Sequence, residues 1–209
     1  IIYPLFDSLI LSFFSWPGVG SRTFVGFKNF QTLFTGSYAK ELFNAFLHNV
    51  YFFLLLILLE LGLGFLIALM LASKIKGAGV FRVITYIPNM IPLVLVGFMW
   101  GLFLNPQVGL VNQLLKLVGL GGLAQPWLGL ENTALTTIIL VNVWRNLGFY
   151  VLVILAAILD ISPDLIEAAY IDGANNWKIT WRIIFPLTFS TFRTLAILLF
   201  IWSFNIFDT

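Results

Sequence analysis

Apolar residues dominate this chain in long blocks, and polar residues are gathered between them. Four blocks stand out: Leu47–Ala72, Val83–Leu104, Ala134–Leu159 and Thr188–Phe207. Each runs for about 20 to 26 residues, enough for a helix to cross about 30 Å of hydrocarbon. Ile1–Trp16 is apolar but shorter, and reads as the trailing part of a further span. Asp208-Thr209 falls inside an apolar run, so both ends read as truncated. The expected class is therefore an all-α membrane protein, a polytopic helical bundle with about five spans. Residues 1–209 form one transmembrane domain, with the loop 160–187 inside it.

The polar stretches carry local signals. Gly26-Phe27-Lys28-Asn29-Phe30 predicts a turn into a short amphipathic piece, and Asn105-Pro106-Gln107-Val108-Gly109 is turn chemistry. Leu110, Val111, Leu114, Leu115 and Val118 then repeat at helical spacing, as for a short helix on the outer surface. Pro88 and Pro92 lie within Val83–Leu104, where they remove backbone donors. The result is either a tolerated kink or a break lining a cavity.

Loop 160–187 predicts two short helices in an L. Ser162-Pro163-Asp164 is a helix start, with a capping hydroxyl, proline at the first position and an acid at the positive end of the dipole. Gly173 can end that helix in a left-handed conformation. At about two and a half turns it is too short to stand alone and must dock on something. The second helix begins near Asn175 or Asn176 and carries Trp177/Trp181 and Lys178/Arg182, types that suit the headgroup level. Pro186 then opens the last span.

Composition sharpens this. The chain is 60% hydrophobic and 10% charged, against about 25% charged in soluble domains, so lipid must cover part of it. A net charge of +2 gives no reason to expect nucleic acid. With no cysteine and one histidine, His48, thiolate and His-type metal sites are not expected, nor is a Ser/His/Asp set or a phosphate loop found. Lys74, Lys76 and Arg82 crowd one short loop and Lys178 and Arg182 another, which places both on the cytoplasmic side.

Two charges inside spans stand out. Glu60 and Arg145 differ in depth by only about 3 Å at about 1.5 Å per residue, which predicts that they pair. Arg193 lies near a span end, where it can snorkel. Asn142, Arg145, Asn146 and Phe149 recur at i, i+3, i+4, i+7 on one helix face, and Trp202, Ser203 and Asn205 sit among aliphatics in the last span. Amides, hydroxyls and rings are the types that bind sugars. They also serve as glue between helices.

Glu167-Ala168-Ala169-Tyr170-Ile171-Asp172-Gly173-Ala174, followed by Ile184-Phe185-Pro186-Leu187, resembles the Glu-Ala-Ala loop of binding-protein-dependent ABC importer permeases. Phe81-Arg82 leading to Ile87-Pro88, Phe103-Leu104-Asn105-Pro106, Val143-Trp144-Arg145 and Ser203-Phe204-Asn205-Ile206-Phe207-Asp208 are similar to maltose-type sugar permeases. The resemblance implies a six-helix core in a bacterial or archaeal inner membrane, paired with a second permease. It also implies two ATP-binding subunits, which hold ATP and magnesium, and an extracytoplasmic solute-binding protein. This chain itself would carry no cofactor and no enzymatic site. By the same resemblance Glu167, Ala168, Ala169, Asp172, Gly173 and Pro186 couple to an ATPase, with Gly173 making the turn. Asn142, Arg145, Asn146, Phe149, Trp202 and Ser203 contact solute. The implied function is import of sugars or oligosaccharides by alternating access. The alternatives are import of a phosphorylated polyol or an acidic oligosaccharide, or a channel or scaffold outside this family.

Overall fold

Proline, glycine and the apolar blocks set the element boundaries. The computed structural model describes residues 2–73 and 76–205. Lys74 and the Ile206-Phe207-Asp208 end of the last motif lie outside the described residues. Two compact units are present, Ile1–Val50 and Tyr51–Thr209.

In the first unit, α1 (Ile2–Leu11) is too short to span and buries no residue. The expected run to Trp16 stops there. Phe14–Ser15 (β1) instead pairs antiparallel with Thr23–Phe24 (β2), a two-residue departure from the all-helical expectation. Left-handed Gly26 turns the chain into α2 (Lys28–Phe34). The Asn29 amide donates to the carbonyls of Ser12 and Phe14 at 2.9 and 3.0 Å. Phe13 packs on Phe27 and Phe30, with ring centroids 5.4 and 5.5 Å away. The motif around Phe27 thus ties a small hairpin to a helix. Helix α3 follows (Ala39–Leu56).

The second unit holds the membrane core. Helix α3 continues through a π-helical segment, Ile57–Leu63, into α4 (Gly64–Ala72). Together they form a 34-residue apolar helix, Ala39–Ala72, which starts eight residues before the first apolar block. Helix α8 (Glu131–Leu159) is 29 residues long. Helix α10 (Asn176–Ile179), a π segment (Thr180–Ile184) and α11 (Phe185–Phe204) form another 29-residue helix. Among the described residues these three are long and apolar enough to cross a bilayer. Helix α4 lies along α8, where Ala68 and Gly64 allow close approach to Ile154 and Tyr150. Phe52, Leu56, Leu61, Val143 and Leu199 extend this core toward α11.

The block Val83–Leu104 is not one continuous helix. Helix α5 (Ala78–Tyr86) ends in a 3-10 turn at Ile87–Met90, and α6 (Leu93–Phe103) leaves at 95°. Ile91 is extended between the two prolines, so the helix is broken there and not merely kinked.

Beyond α6, the Asn105 side chain accepts from the N–H groups of Gln107 and Val108 at 2.9 and 3.1 Å, forming the expected turn. Helix α7 follows (Leu110–Leu117). Its buried Asn112 was not foreseen, because it falls in a run read only for leucine spacing. The Asn112 amide donates to the carbonyls of Gln125 and Pro106, and its oxygen accepts from the Trp127 indole at 2.8 Å. Asn112→Ala removes the partner of the half-buried Trp127 indole and of the Gln125 backbone, at about 1–3 kcal/mol for each group left unpaired. Limited proteolysis should then cut the 105–130 segment at least tenfold faster than in wild type.

Loop 160–187 departs from the expected L in one respect. Its second helix does not end before Pro186 but runs on into the last span. Proline clashes with the carbonyl four residues back, here that of Arg182. Arg182 sits in the π segment, whose wider turn admits the ring.

Candidate functional site

Three constellations on these elements bear on function: the loop helix, the α8 face at the broken helix, and the region around Glu60.

The loop helix is α9 (Pro163–Ile171). Ser162 occupies the N-cap position, but its side chain makes no capping bond; Pro163 and Asp164 in the first turn fit the helix start without it. The other end is closed in detail. Gly173 has φ 76°, its N–H donates to the Tyr170 carbonyl, and the Ala174 N–H donates to the Ala169 carbonyl. This is the paired bonding of a Schellman ending. The Asn175 side chain then accepts from the Lys178 N–H at 2.9 Å and starts the long final helix. The Tyr170 hydroxyl donates to the Asn176 side chain at 2.6 Å, joining the two helices. Glu167, Ala168, Asp172 and Gly173 are exposed, whereas Ala169 is only 8% exposed and faces its own chain. Leu165 and Ile171 lie open beside them, Ile171 at 86% exposure. Pro186 is in the adjoining helix rather than on α9.

Trp177, Trp181 and Phe185 form a ladder with ring centroids 5.5 and 5.4 Å apart. Phe65 of α4 meets Trp181, Phe185 and Phe192 at 6.1, 5.8 and 5.3 Å. Tryptophan at the membrane surface and phenylalanine in the core thus form one stack that anchors the loop.

The α8 face meets the break in α5–α6. Asn146 donates to Asn142 and accepts from Asn89 at 3.2 Å. Arg145 donates to the Ile91 carbonyl at 3.4 Å and to Asn146 at 3.2 Å. Ile91 is extended and followed by proline, so its carbonyl has no place in a helical ladder. Arg145 supplies the missing donor, and the freed carbonyl gives an intramembrane cation a partner. Gly148 lets α5 come close: a Cβ there would collide with the Thr85 carbonyl and the Tyr86 backbone. Asn89, Ile91 and Gly148 all belong to this site and were missed from sequence. The only signal for Asn89 was its place between Pro88 and Pro92. Phe149 is 38% exposed beside the cluster, and Asn142 is buried. On α11, Trp202 is 44% exposed, while Ser203 is fully buried and donates to the Phe200 carbonyl. No hydrogen bond joins either residue to the α8 cluster among the described residues.

The expected Glu60–Arg145 pair does not form; no ion pair joins them among the described residues. Glu60 is fully buried within the π segment, with neither carboxylate oxygen in a hydrogen bond of standard geometry. The polar group in its electrostatic reach is the Tyr150 hydroxyl. Five residues at about 100° each put Tyr150 about 140° around α8 from Arg145. The expected pairing rested on depth alone, and the face each residue occupies decided against it.

Arg145→Met leaves the Ile91 carbonyl without its donor, and is expected to lower stability by about 1–3 kcal/mol. Arg145→Lys should do the same, because an ammonium lacks the planar fork that spans Ile91 and Asn146. Thermal unfolding in detergent checks this; wild-type stability with Lys would show that charge alone suffices.

Helices long and apolar enough to cross a bilayer, a broken helix pair and an exposed loop helix define a polytopic helical membrane protein. This chain belongs to the family of binding-protein-dependent transport system inner membrane components, whose model matches residues 60–209. It is 29% identical to a probable starch degradation products permease of Thermoanaerobacterium thermosulfurigenes, covering all of this chain and 69% of that one. It is 32% identical to a diacetylchitobiose uptake permease of Streptomyces coelicolor, covering 99% and 61%. A solved bacterial ABC transporter for import of the acidic polysaccharide alginate superimposes with a TM-score of 0.79 at 28% identity, covering 95% of this chain and 66% of that one. The chain thus spans about two thirds of the length of these relatives.

Proposed function

We propose that this chain is the transmembrane permease subunit of an ATP-driven importer for sugars or oligosaccharides. The observation that carries the reading is α9, a helix too short to stand alone, capped at its C-terminal end and presenting Glu167 and Ala168 outward between two spans. It docks in a groove of an ATP-binding subunit, where Glu167 meets a basic group and Ala168 permits close contact. A second permease completes the pathway, and a binding protein delivers solute on the opposite face. ATP and magnesium are held by the partner subunits. ATP-driven closure of those subunits draws the loop helices together and turns the spans outward.

The solute path is assigned to the α8 face of Asn142, Arg145, Asn146 and Phe149, together with Trp202 and Ser203 of α11. Ser203, buried with its hydroxyl already bonded, would have to turn to take part. A second reading is an acidic oligosaccharide, favoured by the alginate importer among similar structures. The bonds of Arg145 to Ile91 and Asn146 weigh against it, since they already use its guanidinium. Neutral and uronic-acid oligosaccharides should be screened against the cognate binding protein, and ATP hydrolysis by the assembled importer then measured with each. Stimulation by a neutral sugar supports the first reading and stimulation by uronates alone the second. Absence of stimulation by either rejects both.

A further inference from the structure

Two charged side chains lie on apolar helices that pack together, and neither has a counter-charge among the described residues. Glu60 is fully buried in the π segment Ile57–Leu63, and both of its carboxylate oxygens lack a hydrogen bond of standard geometry. Arg193 is exposed on α11, with no ion pair or hydrogen bond among the described residues. It lies about 18 Å along the helix from Trp181, at about 1.5 Å per residue, deeper than the span end expected for it. Snorkelling serves a side chain near a helix end and does not cover that distance.

Ring contacts bracket both charges. Phe65 meets Phe192 with centroids 5.3 Å apart, and Phe53 meets Phe200 at 5.4 Å. Glu60 lies between Phe53 and Phe65 on its helix, and Arg193 lies between Phe192 and Phe200 on the other. What separates them is the face of the helix. A groove of about 440 Å³ is lined by Phe53 and Leu61 from one helix and by Phe189, Phe192, Arg193 and Phe200 from α11. Arg193 is the one charged residue in that lining, and none of the residues assigned to the solute path is in it. Leu61 faces the groove, whereas Glu60, one residue earlier, is turned into the core.

The π segment is what fixes this choice of face. Its bonds run i→i+5, so each turn holds about one residue more than an α turn. Returning Ile57–Leu63 to α geometry therefore advances its residues by about one position around the axis. Glu60 then stands where Leu61 stands now, in the groove with Arg193. Leu59, half-buried in the present form, follows into the core place that Glu60 leaves. A carboxylate thus moves from an apolar core to a cation, and a leucine replaces it. The extra residue of the π turn must be taken up further along, in α4 or after Ala72. The exchange is therefore tied to movement of α4 against α8, on which it packs.

We propose that Ile57–Leu63 is a two-state element of the transport cycle. In the form described here it holds Glu60 in the core, and in the alternate form it winds to α geometry and pairs Glu60 with Arg193. The inference rests on the importer reading, which supplies the second conformation. The two orphaned charges on packed helices, one residue of rotation apart, are the observation that carries it.

The chain has no cysteine, so Glu60→Cys/Arg193→Cys introduces a single thiol pair. A disulfide needs Cα atoms within about 7 Å. The assembled importer is oxidised in its nucleotide-free and vanadate-trapped forms, and the cross-link within this chain is measured by mass spectrometry. Its yield should differ at least fivefold between the two forms. Equal yield in both, or no cross-link in either, overturns the proposal. The charges are tested apart from the thiols. Glu60→Gln and Arg193→Gln should each lower solute-stimulated ATP hydrolysis at least fivefold, and the double variant should lose no more than either single one. Additive losses, or wild-type rates in the single variants, overturn it as well. Wild-type stimulation, measured alongside, keeps the two readings distinct. Its absence rejects the importer reading, whereas its presence with a state-independent cross-link rejects only the exchange.

Discussion

Gly148→Ala is expected to abolish a stable complex. The position is helical with ordinary backbone angles, so the effect is purely one of space. An added Cβ would meet the Thr85 carbonyl and the Tyr86 backbone, and backbone cannot rotate away as a side-chain tip can. Relief requires α5 to move off α8. That separates Asn89 from Asn146 and Ile91 from Arg145, because the bonds lie within one to two turns of the collision. Overpacking alone costs about 1–3 kcal/mol, and leaving buried polar groups unpaired adds about 1–3 kcal/mol each. The sum is comparable with the whole margin of about 5–15 kcal/mol of a typical domain. The yield of assembled importer after detergent extraction should fall at least tenfold. Gly97→Ala, where an added Cβ meets nothing within 4 Å, serves as the control and should be neutral. Wild-type yield from Gly148→Ala would show that the approach of α5 to α8 is not required.

Glu167→Arg should leave folding intact and eliminate coupling. Glu167 is exposed and forms no ion pair among the described residues, so its reversal should change stability by no more than about 0.5 kcal/mol. If α9 seats in an ATPase groove through this carboxylate, reversal turns an attraction into a repulsion at a desolvated contact. Solute-stimulated ATP hydrolysis by the reconstituted importer should drop to its basal rate, a loss of at least tenfold. A basic-to-acidic change on the facing ATPase surface should restore part of it. Unchanged stimulation would falsify the docking of α9. Unchanged melting of the permease pair, recorded alongside, separates loss of coupling from loss of fold.

Much of this was legible in the sequence because lipid enforces simple rules. Long apolar blocks must be helices, and turn residues must lie between them. The Gly173 ending, the Asn105 turn and the α8 polar face follow from residue types at fixed spacings. What escaped depended on which way a residue faces within the bundle. Glu60 and Arg145 were matched by counting residues along their spans, yet a π turn in one helix and a proline-freed carbonyl beside the other gave each a different surrounding. Pro186 promised a helix start, and the wider turn at Thr180–Ile184 absorbed it instead. Gly148 was invisible because a glycine inside an apolar run states nothing about what presses against it. Ala169 was grouped with Ala168 by motif, whereas helical geometry turns the two to different faces.

The unbroken run from Asn176 to Phe204 has a mechanical consequence. Twenty-nine helical residues at about 1.5 Å each make a rod of about 43 Å, longer than the bilayer core is thick. One end is tied to α9 through the Tyr170–Asn176 bond and the short Gly173 link. The other end carries Trp202 and Ser203. If an ATP-binding subunit moves α9 as proposed, a rod so attached would act as a lever, with the Phe65 stack as fulcrum near its loaded end. The arm from that fulcrum to Trp202 is the longer one, so a small displacement of α9 would become a larger sweep at Trp202, less whatever part of the stroke the π turn at Thr180–Ile184 took up.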